Sequence, residues 1–251
     1  MSSNVLLFLG AFLASAVEAV EALTVVLAVG VTRGWRSTLA GVGAASVVLI
    51  AIVAALGPAL NHIPISTLRF VVGALLLAFG LQWLRKAILR AGGFKPLHDE
   101  DAAFAREREQ AGAAAPAAAK GMDWYSFTVA FKSVLLEGLE VAFIVIGFGS
   151  AQGELGLAAG AAAAAVVVVI AVGIAVRGPL ARVPENSLKF VVGVLLTSFG
   201  TFWGAEGAGV TWPGSDLAIL GVAAFVALVS LALVRALRRR PPALEPAAVR
   251  T

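Results

Sequence analysis

Apolar residues follow one another in long blocks along this chain, and short polar or basic stretches separate the blocks. A helix rises 1.5 Å per residue, so about 20 apolar residues cross the ~30 Å hydrocarbon core of a bilayer. Seven blocks of that kind are readable, at 5–30, 38–60, 66–88, 126–150, 156–176, 186–204 and 215–236. Most lack the polar stripe that each helix of a water-soluble bundle turns outward. The pattern therefore predicts an all-α, polytopic membrane protein of about seven transmembrane helices.

The blocks also repeat. PISTLRFVVGALLLAFGLQW, from Pro64, matches PENSLKFVVGVLLTSFGTFW, from Pro184, in its Pro, Leu, basic residue before Phe, FVVG, LL, FG and Trp. Upstream, Glu18 aligns with Glu137, Glu21 with Glu140, Gly30 with Gly149 and Gly41 with Gly160. The expected organisation is a first three-helix repeat over 1–91, a linker over 92–123, a second repeat over 124–205, a seventh helix over 206–240 and a disordered tail over 241–251. Three spans per repeat force the second copy to enter the bilayer upside down, the inverted-repeat plan of many secondary transporters. Gly73, Gly80, Gly193 and Gly200 recur seven residues apart within each copy. Small residues at that spacing predict close helix packing, as do Gly41, Gly43 and the Ala-rich fifth block.

Composition agrees with the pattern: 60% of the residues are hydrophobic and 14% charged, too apolar for an ordinary soluble domain. The net charge of +4 does not point to nucleic acid, because the basic residues sit in short loops and at the tail. Arg33, Arg36, Arg85, Lys86, Arg90, Lys95, Arg177, Arg182, Lys189, Arg235, Arg238, Arg239 and Arg240 fall on one side of a seven-span chain, and Arg69 falls on the other. The excess of Lys and Arg on cytoplasmic loops then predicts an outside N-terminus and a cytoplasmic C-terminus, in the plasma or inner membrane. The start MSSN lacks a positive n-region, so no cleaved signal peptide is expected. The linker from Gly92 to Asp123 is expected in the cytoplasm with one short helix around Ala102–Gln110, and its run His98, Asp99, Glu100 and Asp101 reads as a solvated charged loop.

Four acids interrupt the lipid-facing pattern. SAVEAVEALTVVLAVG, from Ser15, carries Glu18 and Glu21; LLEGLEVAFIVIGFG, from Leu135, carries Glu137 and Glu140. Residues i and i+3 share a helical face, about 4.5 Å apart along the axis. An ionised carboxylate at mid-bilayer costs at least ~2.5 kcal/mol, so such residues mark ion pathways more often than structure. Inverted repeats would bring the pairs from spans one and four together near the midplane. With no cysteine, two Met outside the paired segments and both His in loops, the site offers only carboxylate, hydroxyl and carbonyl oxygen. Oxygen ligands suit hard cations such as Ca²⁺, Mn²⁺, Mg²⁺ or Fe³⁺. Ser15, Thr24 and Ser133 are candidate supporting ligands. Lys132, five residues before Glu137, either pairs with a glutamate or snorkels to the surface, and its place near the span's end favours snorkelling. Crowded acids exchange protons for a cation, which makes proton-coupled transport an option.

These residues resemble a known family. LEGLEVAFIV is similar to the REGLE-type motif of the oxidase-dependent iron permeases, which have seven spans, an outside N-terminus and Arg-Glu-x-x-Glu in spans one and four. The resemblance implies that Glu18, Glu21, Glu137 and Glu140 coordinate iron in transit. The motif arginines are replaced here by Val17 and Leu136. The chain also resembles the small cation/proton exchangers with a Glu-x-Gly-Asp motif in each of two inverted repeats. The expected function is a membrane transporter of a hard metal cation, iron first, with a calcium/manganese-proton antiporter as the alternative. An intramembrane enzyme acting on a lipid substrate is the further alternative, although spans one and four hold no Arg or His beside the acids. A non-transporting scaffold has little soluble mass to signal with. No enzymatic activity and no permanently bound cofactor are expected; the cation is cargo.

Overall fold

A computed structural model of the chain describes residues 3–60, 63–115, 121–176 and 185–239. His62, Arg177, Arg182, Arg240 and the tail 241–251 lie outside the described residues. The helices among them are α1 (Ser3–Arg33), α2 (Trp35–Leu60), α3 (Ile65–Ala91), α4 (Glu100–Ala113), α5 (Trp124–Gln152), α6 (Leu155–Val176), α7 (Glu185–Gly207) and α8 (Ala218–Arg238), with a 3-10 turn at Ser215–Leu217 leading into α8. Local chemistry sets the ends. Asp123 caps α5 by accepting from the backbone N–H groups of Tyr125 and Ser126, and α5 stops at Gly153, whose left-handed φ of 71° suits a residue without a Cβ.

The all-α polytopic architecture expected from the sequence is the one observed. Among the described residues six helices are long and apolar enough to cross a membrane by length and composition: α1, α2, α3, α6, α7 and the stretch holding α8. The equally long α5 differs by carrying Lys132, Glu137 and Glu140 within its apolar sequence. Ile50, Val167, Phe225 and Leu228 stand exposed on α2, α6 and α8. So much outward apolar surface needs hydrocarbon to cover it. The chain is a multi-pass membrane protein.

Helix contacts follow the duplication. The helices α1 and α5 pack on each other, as do α3 and α7, and each of these pairs joins equivalent parts of the two copies. The contact of α1 with α6 is mirrored by α5 with α2, and that of α1 with α7 by α5 with α3. The helices α3 and α7 approach closely at their glycines. A Cβ at Gly73 would run into the backbone of Trp203 and Gly204, at Gly80 into Thr197, at Gly193 into Leu84 and at Gly200 into Leu77. Gly41 likewise meets the Phe127 backbone of α5, whereas a Cβ at Gly43 would meet nothing within 4 Å among the described residues, contrary to the packing expected of it.

One stripe of α1, Leu7, Ala11, Ala14 and Val17, is fully buried against Phe148 of α5 and Phe199 and Trp203 of α7. Its i, i+3, i+4 spacing is that of a single helical face. The next residue of that buried region is Glu18, so the packing that builds the core also carries an acid into it.

The linker differs from the expected solvated loop. Helix α4, five residues longer than the predicted short helix, packs along the last third of α1. Glu100 at its start is buried, with Oε2 2.5 Å from Thr24 Oγ1 and Oε1 3.2 Å from His98 Nε2. At its far end Arg33 donates to the carbonyls of Ala111 and Ala114, and to Asp123 Oδ2 at 2.6 Å. His98 exchanges two hydrogen bonds with Asn186 at the start of α7. These partners satisfy the polar groups that composition alone assigns to water.

Candidate metal centre

Three of the four paired glutamates converge where α1 crosses α5. Carboxylate oxygens of Glu18, Glu137 and Glu140 all lie within 4.8 Å of one another. Glu18 is buried at 2% exposure, and Glu137 and Glu140 are half-buried. Each repeat thus contributes to one cluster, which a single oxygen-liganded cation could bridge. The fourth acid, Glu21, is turned to α7, where it forms an ion pair with Lys189. The Lys189 ammonium also stands over the Trp83 ring of α3, 5.9 Å from its centroid.

The supporting residues divide. Ser15 is fully buried one turn before Glu18, and its Oγ has no hydrogen-bond partner among the described residues. That hydroxyl is available to a ligand on the same helical face as Glu18. Thr24 is engaged elsewhere: its hydroxyl faces the Val20 carbonyl at 3.0 Å and Glu100. Ser133 is half-buried one turn before Glu137, and no hydrogen bond among the described residues ties it to the acids. Lys132 is exposed on α5 and makes no ion pair with a glutamate among the described residues, so the paired reading of it gives way to the exposed one.

An apolar groove of about 300 Å³ opens between α2, α3 and α5, lined by Leu56, Val72, Leu76, Phe79 and Phe143, with Glu140 on its wall. The position equivalent to Phe143 on α1 is Thr24, and there Glu100 of α4 covers the helix. The two halves of the duplication are therefore dressed differently on either side of the acids.

Residues 7–93 match the model of the ferrous iron uptake permease family, described as an iron-lead transporter. The chain is similar to the iron permeases. The matched stretch spans α1 to α3, including Glu18 and Glu21, and of the two families that the glutamate motifs resemble it is the permeases that it supports. No curated protein matches the chain. No solved structure matches it either.

Two residues at the centre escape a reading by span. Lys189 counts toward topology as a loop-flanking charge, yet it reaches Glu21 across 168 positions of sequence. Its signal is the repeat: Lys189 occupies the place of Arg69, the basic residue before Phe in both copies. Glu100 lies in a charged run that reads as solvated, and only the packing of α4 on α1 reveals it.

Proposed function

We propose that this protein carries ferrous iron across a membrane, and that the ion passes through a site built from Glu18, Glu137 and Glu140, with Glu21 as the fourth acid and Ser15 as a neutral oxygen ligand. The observation that supports it most is the convergence of carboxylates from both copies of the sequence repeat within 4.8 Å. The similarity of residues 7–93 to an iron permease family supports the choice of ion. Ferrous iron accepts carboxylate and hydroxyl oxygen, which is all that the cluster offers. The orientation follows the basic residues, with the N-terminus outside and the α4 side of the bundle in the cytoplasm. Three carboxylates so close together repel one another when ionised, and a cation or protons relieve that repulsion. Exchange of protons for the ion is thus part of the proposal.

The test is metal-resolved flux in proteoliposomes, with and without a pH gradient. Wild type is expected to move ferrous iron, and the quadruple variant Glu18→Gln, Glu21→Gln, Glu137→Gln and Glu140→Gln is expected to move none while still reconstituting. Flux of calcium and manganese without iron would transfer the reading to a cation/proton antiporter. Equal iron flux in the quadruple variant would sink it.

A further inference from the structure

Glu21 has one charge to give, and in the structure it gives that charge to Lys189. A cation held by all four glutamates needs the same carboxylate. The two claims compete, because Lys189 is a cation tethered to α7 at the edge of the acid cluster. Its side chain is only 15% exposed, so water does little to screen it, and the neighbouring Trp83 face offers the ammonium a second resting place at 5.9 Å.

The duplicated copy shows that the fold does not impose this pairing. The equivalent of Lys189 is Arg69 on α3, and the equivalent of Glu21 is Glu140 on α5. Arg69 instead binds Glu206 at 3.2 Å and the Ala151 carbonyl at 3.2 Å, both away from Glu140. Duplication thus supplied a basic residue at both places, and only one of them engages an acid of the centre. Glu140, with which Arg69 does not pair, lies within the three-acid cluster, and Glu21, with which Lys189 pairs, lies outside it.

We infer that Lys189 is an internal competitor for the transported cation: it withholds Glu21 from the centre, weakens binding of the ion and so speeds its release toward the α4 side. The inference rests on the transport reading above and adds to it the residue that sets affinity and turnover. A basic side chain at this place raises the dissociation constant and raises maximal flux together, whereas a purely structural residue would lower flux without tightening binding.

The chain has no cysteine, so Lys189→Cys provides a single addressable thiol. Ferrous iron binding in nanodiscs and initial flux in proteoliposomes are measured anaerobically for wild type, Lys189→Met, Lys189→Arg and Lys189→Cys. The last is measured before and after an aminoethyl thiosulfonate reagent restores a cationic chain. Removing the charge is expected to tighten binding about tenfold, the effect of a ~1.4 kcal/mol competing interaction, and to lower both KM and maximal flux. Lys189→Arg and the aminoethylated Cys protein are expected to return to wild-type values. Rescue within one folded sample separates charge from misfolding. Unchanged or weaker binding in both Lys189→Met and unmodified Lys189→Cys overturns the inference alone, provided wild type binds iron. A wild type that neither binds nor moves ferrous iron overturns the transport reading and this inference with it.

Discussion

Asp123 shows how one side chain fixes two boundaries. It caps α5 and receives Arg33 from the end of α1. The Arg33 hydrogen bond, against the opposing effect of burial, holds its carboxyl below the ordinary 3.8. A folded-state value below the unfolded one stabilises the protein above the unfolded value, and that stabilisation is lost as pH falls through the folded one. Asp123→Asn is therefore expected to lower stability at neutral pH by about 1–3 kcal/mol, with the gap from wild type closing in acid below 3.8. Thermal melts in detergent over a pH series check it; a gap that is constant with pH contradicts it. Lys132 is the contrasting case. It is exposed and makes no ion pair with the acids among the described residues, so Lys132→Gln is expected to leave iron flux at the wild-type rate in proteoliposomes.

Between elements, the α3–α7 contact depends on glycine. Gly200→Ala places a methyl group against the Leu77 backbone and the Gly73 carbonyl, neither of which can swing aside. Overpacking of this kind costs about 1–3 kcal/mol, so Gly200→Ala is expected to lower the unfolding midpoint, while Gly43→Ala, facing open space, leaves it in place. This contact was legible in the sequence because identical glycines recur at the same spacing in both copies. The docking of α4 was not. EDAAFAREREQAGA reads as a water-facing helix, and nothing local tells that Glu100 meets Thr24, 76 positions away. Thr24→Val removes that hydrogen bond and leaves a buried carboxyl short of a partner. It is expected to raise hydrogen exchange over 100–113; unchanged protection there would contradict the docked helix.

At the scale of the whole molecule, duplication explains most of what could be read in advance. The sequence repeat places the glutamates on α1 and α5, and those two helices are in contact. Sequence spacing gave the two acids on each helix a common face, but the rotation of α1 against its neighbours decided their fates: Glu18 turned to the cluster and Glu21 to Lys189. That rotation is set by the buried stripe of Leu7, Ala11, Ala14 and Val17 against Phe148, Phe199 and Trp203, a tertiary fit that no local pattern encodes. The central claim is that acids from both copies hold one cation between them. Equilibrium dialysis of ferrous iron against purified protein tests it most directly, comparing wild type with the variant that changes one acid in each copy, Glu18→Gln with Glu137→Gln. The account predicts saturable binding by wild type and none by the variant; equal binding by both would contradict it.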